Sequence, residues 1–369
     1  MTIGRGTLLL GLGLGLGLGL VALAAGAGCS HKKRSAGASG PRVVDMGISA
    51  TTACAALADG RVLCWGDNQD GTLGDGTLKA SARPVAVAGL GDAIEVEVGQ
   101  GKACALKRDH TVWCWGALRP PADAAPPEDV APPRPLTPPE HDAVATQPAT
   151  QVGYLTGAES ITMNGAWTLC ARLAGGEVRC FGMVNAPTRV PELHGASVIA
   201  AGPDGVVGVA SGVITVVSLR LPHQVRTLTA ADPIEAVDAI EVDDALCVRG
   251  ARKGQLGIHC AGWKSDVLAT FTTPALATAP HTFALGTSTG SFVAADGRLG
   301  RFGIGDVDRR VQAAGGKAGG GGSNSEGDIV AVWAGGFYSC RARRTGALLC
   351  EGALQGVQLA APEELIRFP

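Results

Sequence analysis

The chain has 369 residues, 46% of them hydrophobic, 17% charged and 4% aromatic, with 55 glycines and a formal net charge of -2. That length fits one large domain or two ordinary ones, and many glycines with few aromatics suit a turn-rich all-β chain better than a helical one. The near-neutral charge gives no support for nucleic-acid binding, which normally needs a strong basic face.

The first element is a targeting segment, residues 1–28, set aside from fold reasoning. Arg5 is the sole early charge, and Leu8 to Ala27 is an unbroken apolar run that ends in Ala25-Gly26-Ala27-Gly28-Cys29. Small residues directly before a cysteine resemble a bacterial lipobox, in which cleavage precedes the cysteine and that cysteine carries lipid. Gly26 stands where a lipobox usually has Leu. Cys29 is then the lipidation site, and residues 29–42, polar and small, form a flexible tether. About 20 apolar residues also suffice to span a bilayer, so plain secretion or an uncleaved anchor is the alternative. Both readings place the body of the chain outside the cytoplasm, as an envelope or outer-membrane lipoprotein or a secreted protein.

The cysteines come next. With Cys29 reserved for lipid, ten remain in five neighbouring pairs. Cys54 and Cys64, Cys104 and Cys114, Cys170 and Cys180, and Cys340 and Cys350 share one spacing; Cys247 and Cys260 lie three residues wider. An even set in an exported protein argues for disulfides, and the repeated local spacing favours pairing between neighbours. The spacing has a geometric meaning. In Cys54-Ala-Ala-Leu-Ala-Asp59-Gly60-Arg-Val-Leu-Cys64 the midpoint is Asp59. A three-residue hairpin loop with a left-handed Gly60 sets Ala56 against Val62, Ala55 against Leu63 and Cys54 against Cys64. Directly opposed residues in a non-hydrogen-bonded pair are close enough for a cross-strand disulfide. Gly176, Gly346 and His110 take the left-handed position in three other pairs.

The same frame recurs along the chain. Cys64-Trp65-Gly66 is followed by Cys114-Trp115-Gly116, Cys180-Phe181-Gly182, Cys260-Ala261-Gly262 and Cys350-Glu351-Gly352. A unit without cysteines keeps Ala295-Asp296-Gly297-Arg298 and Phe302-Gly303. The longest gap, from Gly182 to Gly262, contains Ile199 to Ser218, which reads as a degenerate fourth unit. The count is then seven. Segments such as Ile94-Glu-Val-Glu-Val98 and Val213-Ile-Thr-Val-Val217 have strand composition, and repeats of about 40–50 residues with short strands are propeller-like.

Cys-Ala-x-Leu-x-Asp-Gly-x-Val-x-Cys-Trp-Gly, followed here by Asp67-Asn68-Gln69-Asp70-Gly71-Thr72-Leu73-Gly74-Asp75-Gly76-Thr77, resembles the regulator-of-chromosome-condensation repeat. The resemblance implies an all-β fold over residues 43–369: a seven-bladed β-propeller of four-stranded antiparallel blades, the fourth degenerate. Trp65, Trp115 and Phe181 are expected between adjacent blades. Closure of the ring is expected from Gly356 to Ala360 pairing with the first blade near Val43-Val44. Two insertions interrupt the rhythm: 119–150, with ten prolines, is semi-rigid and extended, and 313–327 is Gly-rich and flexible.

Chemistry-bearing motifs are absent or weak. Gly286-Thr287-Ser288-Thr289-Gly290 matches a nucleophile elbow in spelling, but a short run into a hairpin follows it where that motif needs a helix. His259-Cys260 has no further ligands at zinc spacing. The cysteine pairs lack the Cys-x-x-Cys spacing of redox and zinc sites. No catalytic, cofactor or metal residue is therefore assigned, and no cofactor is expected. The nuclear member of the resembled family exchanges guanine nucleotide on a small GTPase, a role ill suited to an exported, oxidised, non-basic chain. The expectation is a monomeric, non-catalytic scaffold that binds a protein or glycan through loops on one face and meets the membrane only through its lipid. The alternatives are a purely structural envelope protein and an enzyme with its site on the face loops.

Overall fold

The computed structural model describes residues 42–116, 146–164, 168–181, 188–219, 224–228, 234–243, 245–264, 268–271, 275–287, 289–303, 327–354 and 357–366. Cys29, its leader and tether, and most of both insertions lie outside them. The described residues form seven antiparallel sheets whose strands follow one another in chain order. Blade 1 is β1 (Val43–Ile48), β2 (Thr52–Leu57), β3 (Val62–Gly66) and β4 (Ser81–Ala86). Blade 2 is β5 (Ala93–Gly99), β6 (Lys102–Lys107), β7 (Val112–Gly116) and β8 (Thr150–Gln151). Blade 3 is β9 (Ala158–Met163), β10 (Leu169–Leu173), β11 (Val178–Phe181) and β12 (Thr188–Arg189). Blade 4 is β13 (Val198–Gly202), β14 (Gly205–Ala210), β15 (Val213–Ser218) and β16 (Val225–Thr227). Blade 5 is β17 (Glu235–Val242), β18 (Ala245–Arg252), β19 (Gln255–Gly262) and β20 (Ala269–Phe271). Blade 6 is β21 (Phe283–Leu285), β22 (Thr289–Val293) and β23 (Leu299–Gly303). Blade 7 is β24 (Ile329–Gly335), β25 (Tyr338–Arg343), β26 (Leu348–Leu354) and β27 (Val357–Ile366).

The hairpin frame sets each blade. Cys54 stands opposite Cys64, Ala55 opposite Leu63 and Ala56 opposite Val62. Gly60, Gly176 and Gly346 take φ of 85°, 85° and 92° at the turn, and His110 takes 65°. His110 holds that strained position with its Nδ1 2.9 Å from the Ala158 carbonyl oxygen. All five neighbouring pairs are disulfide-bonded, with Cα atoms 4.0 to 4.1 Å apart. The wider Cys247–Cys260 spacing has a local cause. Lys253 and Gly254 both have positive φ, forming a two-residue turn that closes on Arg252 opposite Gln255. Its longer arms leave the two cysteines opposed as in the other blades.

The fourth blade is degenerate in sequence but complete as a sheet. Its register places Val207 opposite Val216. That pair packs on blade 5, as the Cys54–Cys64 pair packs on blade 2. Two valines thus occupy the space of a cystine, and burial of branched side chains replaces the cross-link. The sheet with fewer strands is the sixth, which has three among the described residues.

The core lies between blades rather than within them. The residue after each second cysteine faces the preceding blade. The Trp65 indole N–H donates to the Tyr338 hydroxyl of blade 7 at 3.0 Å. Trp115 donates to the Thr72 carbonyl, after β3, at 2.8 Å. Phe181 lies 5.8 Å from the Tyr154 ring and under the Lys102 ammonium of blade 2. In blade 7 the position is Glu351, which forms an ion pair with Arg301 of blade 6. Gly66 and Gly116 are required here: a Cβ on either would fall 2.3 and 2.4 Å from the Thr51 and Gly101 carbonyl oxygens.

Ring closure differs from the expectation. Residues 357–366 do not pair with β1; they return antiparallel along β26, with Leu354 opposite Val357 and Leu348 opposite Ile366. Blades 1 and 7 share no strand. They meet through packed side chains, Met46, Ala53, Ala55 and Trp65 against Trp333, Tyr338, Cys340 and Cys350. The sequence signal for closure was apolar strand content alone, and a strand of that kind pairs with whichever edge the chain can reach. A hairpin back onto β26 closes a far shorter loop than a return to the N-terminus.

Candidate functional site

The first strand of every blade is innermost, and together these strands enclose a cavity of about 520 Å³. Its wall includes Asp45, Glu97, Glu241 and Asp243 with the imidazole of His281 and the indole of Trp333, and no lysine or arginine among the described residues. The turns that join first to second strands also line it, at Ser49, Asn164, Pro203, Thr287 and Gly336. The cavity therefore reaches the face of the ring that carries those turns.

Register explains which side chains stand there. The residue opposite the first cysteine of its blade is Gly47, Glu97, Thr162, Glu241 or Trp333; in the two cysteine-free blades the matching positions are Ala200 and Ala284. All seven line the cavity. One structural position thus forms a ring around the lumen, and two of its seven members are glutamates.

Several inner-strand side chains also hold neighbouring blades. Asp45 of blade 1 accepts the Val96 N–H of blade 2 at 2.8 Å. Glu95 of blade 2 accepts the Ile161 N–H of blade 3 at 2.9 Å. The Thr162 hydroxyl of blade 3 accepts the Ala201 N–H of blade 4 at 2.9 Å. An inner strand has a free edge facing the lumen, and its N–H groups need acceptors; these oxygens supply them.

The electrostatic consequence is marked. Burial, then the neighbouring Asp45 charge, pushes Glu95 up to about 8, against the opposing Ile161 N–H and Arg172. Burial, then Asp45 and Asp243, pushes Glu241 up to about 8. Glu97 lies well above the ordinary carboxylate range through burial and then through Asp45, Glu95 and Glu241, with only its bond to the Met163 backbone opposing. Buried carboxylates that lie close to one another cannot all ionise cheaply. Beside them the His281 ring lies 5.5 Å from the Trp333 ring, with its Nδ1 3.7 Å from the Asp45 carboxylate. Trp333 is 6% exposed, and its indole nitrogen has no hydrogen-bond partner among the described residues. Next to Gly336 at the rim, Phe337 is 74% exposed.

The residues singled out by sequence fall elsewhere. The five cystines are buried between blades. Thr287 lies in a tight turn in which Gly286 N–H bonds the Thr289 carbonyl, and strand β22 follows it instead of a helix. His259 is buried, with Nε2 3.3 Å from the Gly250 carbonyl oxygen, and burial lowers its pKa. Among the described residues no group of three or more His, Cys, Asp or Glu side chains is arranged to hold a metal ion. No described helix is long and apolar enough to cross a membrane. The acidic lumen had a sequence signal that motif reading passes over: a residue six to eight positions before each first cysteine, which in two units is Glu97 or Glu241.

Models of the regulator of chromosome condensation (RCC1) repeat match residues 59–106 and 43–72. Among curated proteins, none matches this chain in sequence. Solved structures share the fold at low identity. Prp20p from Saccharomyces cerevisiae, studied for its binding to Gsp1p and histones, superposes with a TM-score of 0.58 at 13% identity, over 79% of this chain and 80% of that one. Human WBSCR16 superposes at 0.58 with 12% identity, over 80% and 85%. PorZ of Porphyromonas gingivalis, a bacterial surface component of the type-IX secretion system, superposes at 0.53 with 11% identity, over 87% of this chain and 38% of that one. Seven sheets make the described residues a seven-bladed propeller, and within it residues 43–106, blades 1 and 2, match the regulator-of-chromosome-condensation repeat.

Proposed function

We propose that this propeller is a non-catalytic scaffold, tethered to the cell envelope through Cys29, that binds a protein partner at the face where the acidic lumen opens. The observation that carries the reading is Phe337. A phenyl ring 74% exposed at the rim of a 520 Å³ cavity supplies an aromatic anchor beside a concavity, the arrangement that interface centres use. The cavity lies within the range of about 300–1,000 Å³ typical of binding pockets. Protein binding is also what Prp20p is described as doing. A glycan is the alternative occupant.

Two experiments test the reading. In affinity capture from envelope extract, the wild-type protein should retain a reproducible partner that Phe337→Asp loses and that Val213→Asp, a change in the β14–β15 hairpin, keeps. Retention by Phe337→Asp removes this face from the function. Cys29→Ser should release the protein from membranes; unchanged attachment makes the leader an uncleaved anchor.

A further inference from the structure

We propose that the face of the ring opposite the lumen opening rests on an anionic lipid surface, which turns the lumen face outward. This rests on the tethered reading above and extends membrane contact beyond the lipid on Cys29. The first observation is where the chain enters the ring. Strand β1 starts at the end of blade 1 that carries the β2–β3 hairpin tip, with Val43 opposite Leu57. The Ala58 N–H of that tip donates to the Arg42 carbonyl at 2.7 Å. The lumen-lining turn at Ser49 lies at the other end of β1. Thirteen residues separate Cys29 from Arg42, and such a length spans at most about 45 Å. A lipid on Cys29 therefore holds this tip within that distance of the bilayer.

The second observation is charge. The first 44 residues contain no Asp or Glu, and Lys32-Lys33-Arg34 follow closely after Cys29. On the tips of blade 1 and of its neighbours, blades 7 and 2, the cations Arg61, Lys107 and Arg343 are paired with Asp59, Asp109 and Asp328. Arg42, Arg108 and Arg344 are exposed there without an ion pair among the described residues, against one further acid, Asp92. The Arg108 and Arg344 N–H groups donate to the Asp92 and Asp328 carbonyls at 2.9 and 2.8 Å, which fixes the tips that carry them. On the opposite face, the turns that join first to second strands carry no lysine or arginine among the described residues and present Asp204 and Asp243. Each Lys or Arg close to an anionic bilayer strengthens binding about fivefold, and guanidinium groups pair with phosphate at two points. Cations in excess on one face and anions on the other orient the ring as well as attract it.

The test uses the full chain, as wild type and as Cys29→Ser, with vesicles of phosphatidylcholine with and without phosphatidylglycerol. The quantity read is the ratio of binding to the two vesicle types, in which apolar insertion by a lipid or by the leader cancels. The chain should favour the anionic vesicles at least tenfold, and Arg108→Glu/Arg344→Glu should lower the ratio at least fivefold. Both arginines are exposed, so thermal melting should show the double variant folded. Lys79→Glu, the same change of charge in the β3–β4 loop at the other end of blade 1, should leave the ratio unchanged. Equal ratios for wild type and the double variant, or an equal drop with Lys79→Glu, overturn the proposal. A preference carried wholly by Lys32→Gln/Lys33→Gln/Arg34→Gln also overturns it, because the ring then takes no part. Polyphosphate bound as tightly, charge for charge, makes the face a site for a soluble polyanion and removes the membrane from it. Membrane attachment unchanged by Cys29→Ser refutes the lipid, and the ratio still decides the face. Failure here with continued Phe337-dependent capture from envelope extract leaves the scaffold reading standing and refutes only the orientation.

Discussion

Trp65→Ala tests how the ring closes. Trp65 is fully buried, packs in the cluster shared by blades 1 and 7, and donates its N–H to the Tyr338 hydroxyl at 3.0 Å. Truncating a core Trp to Ala costs about 3–5 kcal/mol in lost transfer free energy and residual cavity. The Tyr338 hydroxyl also loses a donor in a dry site, which adds about 1 kcal/mol. Blades 1 and 7 share no strand, so no backbone ladder holds the seam once the side chains part. A total loss of about 4–6 kcal/mol follows, a large share of the 5–15 kcal/mol typical of a folded domain. The assay is urea unfolding with disulfides intact, alongside Trp65→Phe, Tyr338→Phe and the double variant. The cycle should return about 1 kcal/mol of coupling for the hydrogen bond. A Trp65→Ala loss below about 2 kcal/mol, or coupling near zero, refutes closure through this seam.

Three further outcomes follow from the same geometry. Because Glu95 and Glu241 are each pushed up from 4.5 to about 8, the folded chain holds protons that the unfolded chain has released between those values. Stability is then greatest below the unfolded pKa and falls as pH rises through the folded one, by up to about 1.4 kcal/mol per unit and group. Melting should occur at a higher temperature near pH 5 than near pH 8, and Glu241→Gln should flatten the difference; a pH-independent melting temperature contradicts the crowded lumen. Replacing Cys104 and Cys114 together by Ala removes a ten-residue cross-link and should cost about 2–3 kcal/mol, while peptide mapping without reductant should recover five neighbour-to-neighbour cross-links; a scrambled map contradicts the hairpin register. Gly60→Ala should cost about 1–3 kcal/mol, since its φ is +85° and the new Cβ would meet Asp92 N at 2.6 Å. Gly212→Ala, at φ +79° in open space, should cost less by differential scanning calorimetry, and equal losses would mean that crowding at Asp92 contributes nothing.

Much of the fold was legible because it is local. Ten residues between cysteines, with Asp59-Gly60 at the centre, specify a hairpin register without reference to the rest of the chain, since turn type and alternation operate over a few residues. Repetition of that frame, including the cysteine-free unit at Phe302-Gly303, yields six blades by counting, and the double-length gap between Gly182 and Gly262 supplies the seventh. The Trp65 and Trp115 positions were legible for the same reason: a large apolar residue directly before a glycine recurs at one place in the frame.

The candidate site was not legible, because it exists only when seven copies are placed in a circle. Glu97 and Glu241 are 144 residues apart in the sequence and read singly as polar residues within strands. What makes them a site is the register that sets each opposite a first cysteine and the closure that aims both at one lumen. The same holds for the seam. Nothing near Trp65 announces Tyr338, and the composition of residues 357–366 does not distinguish pairing with β26 from pairing with β1; only the shorter loop favours β26. The sequence alone determined the repeated unit, its turn and its cystine, all fixed by contacts a few residues apart. Tertiary structure alone decided where the charges converge and how the circle closes, because those depend on distances between blades that no local pattern encodes.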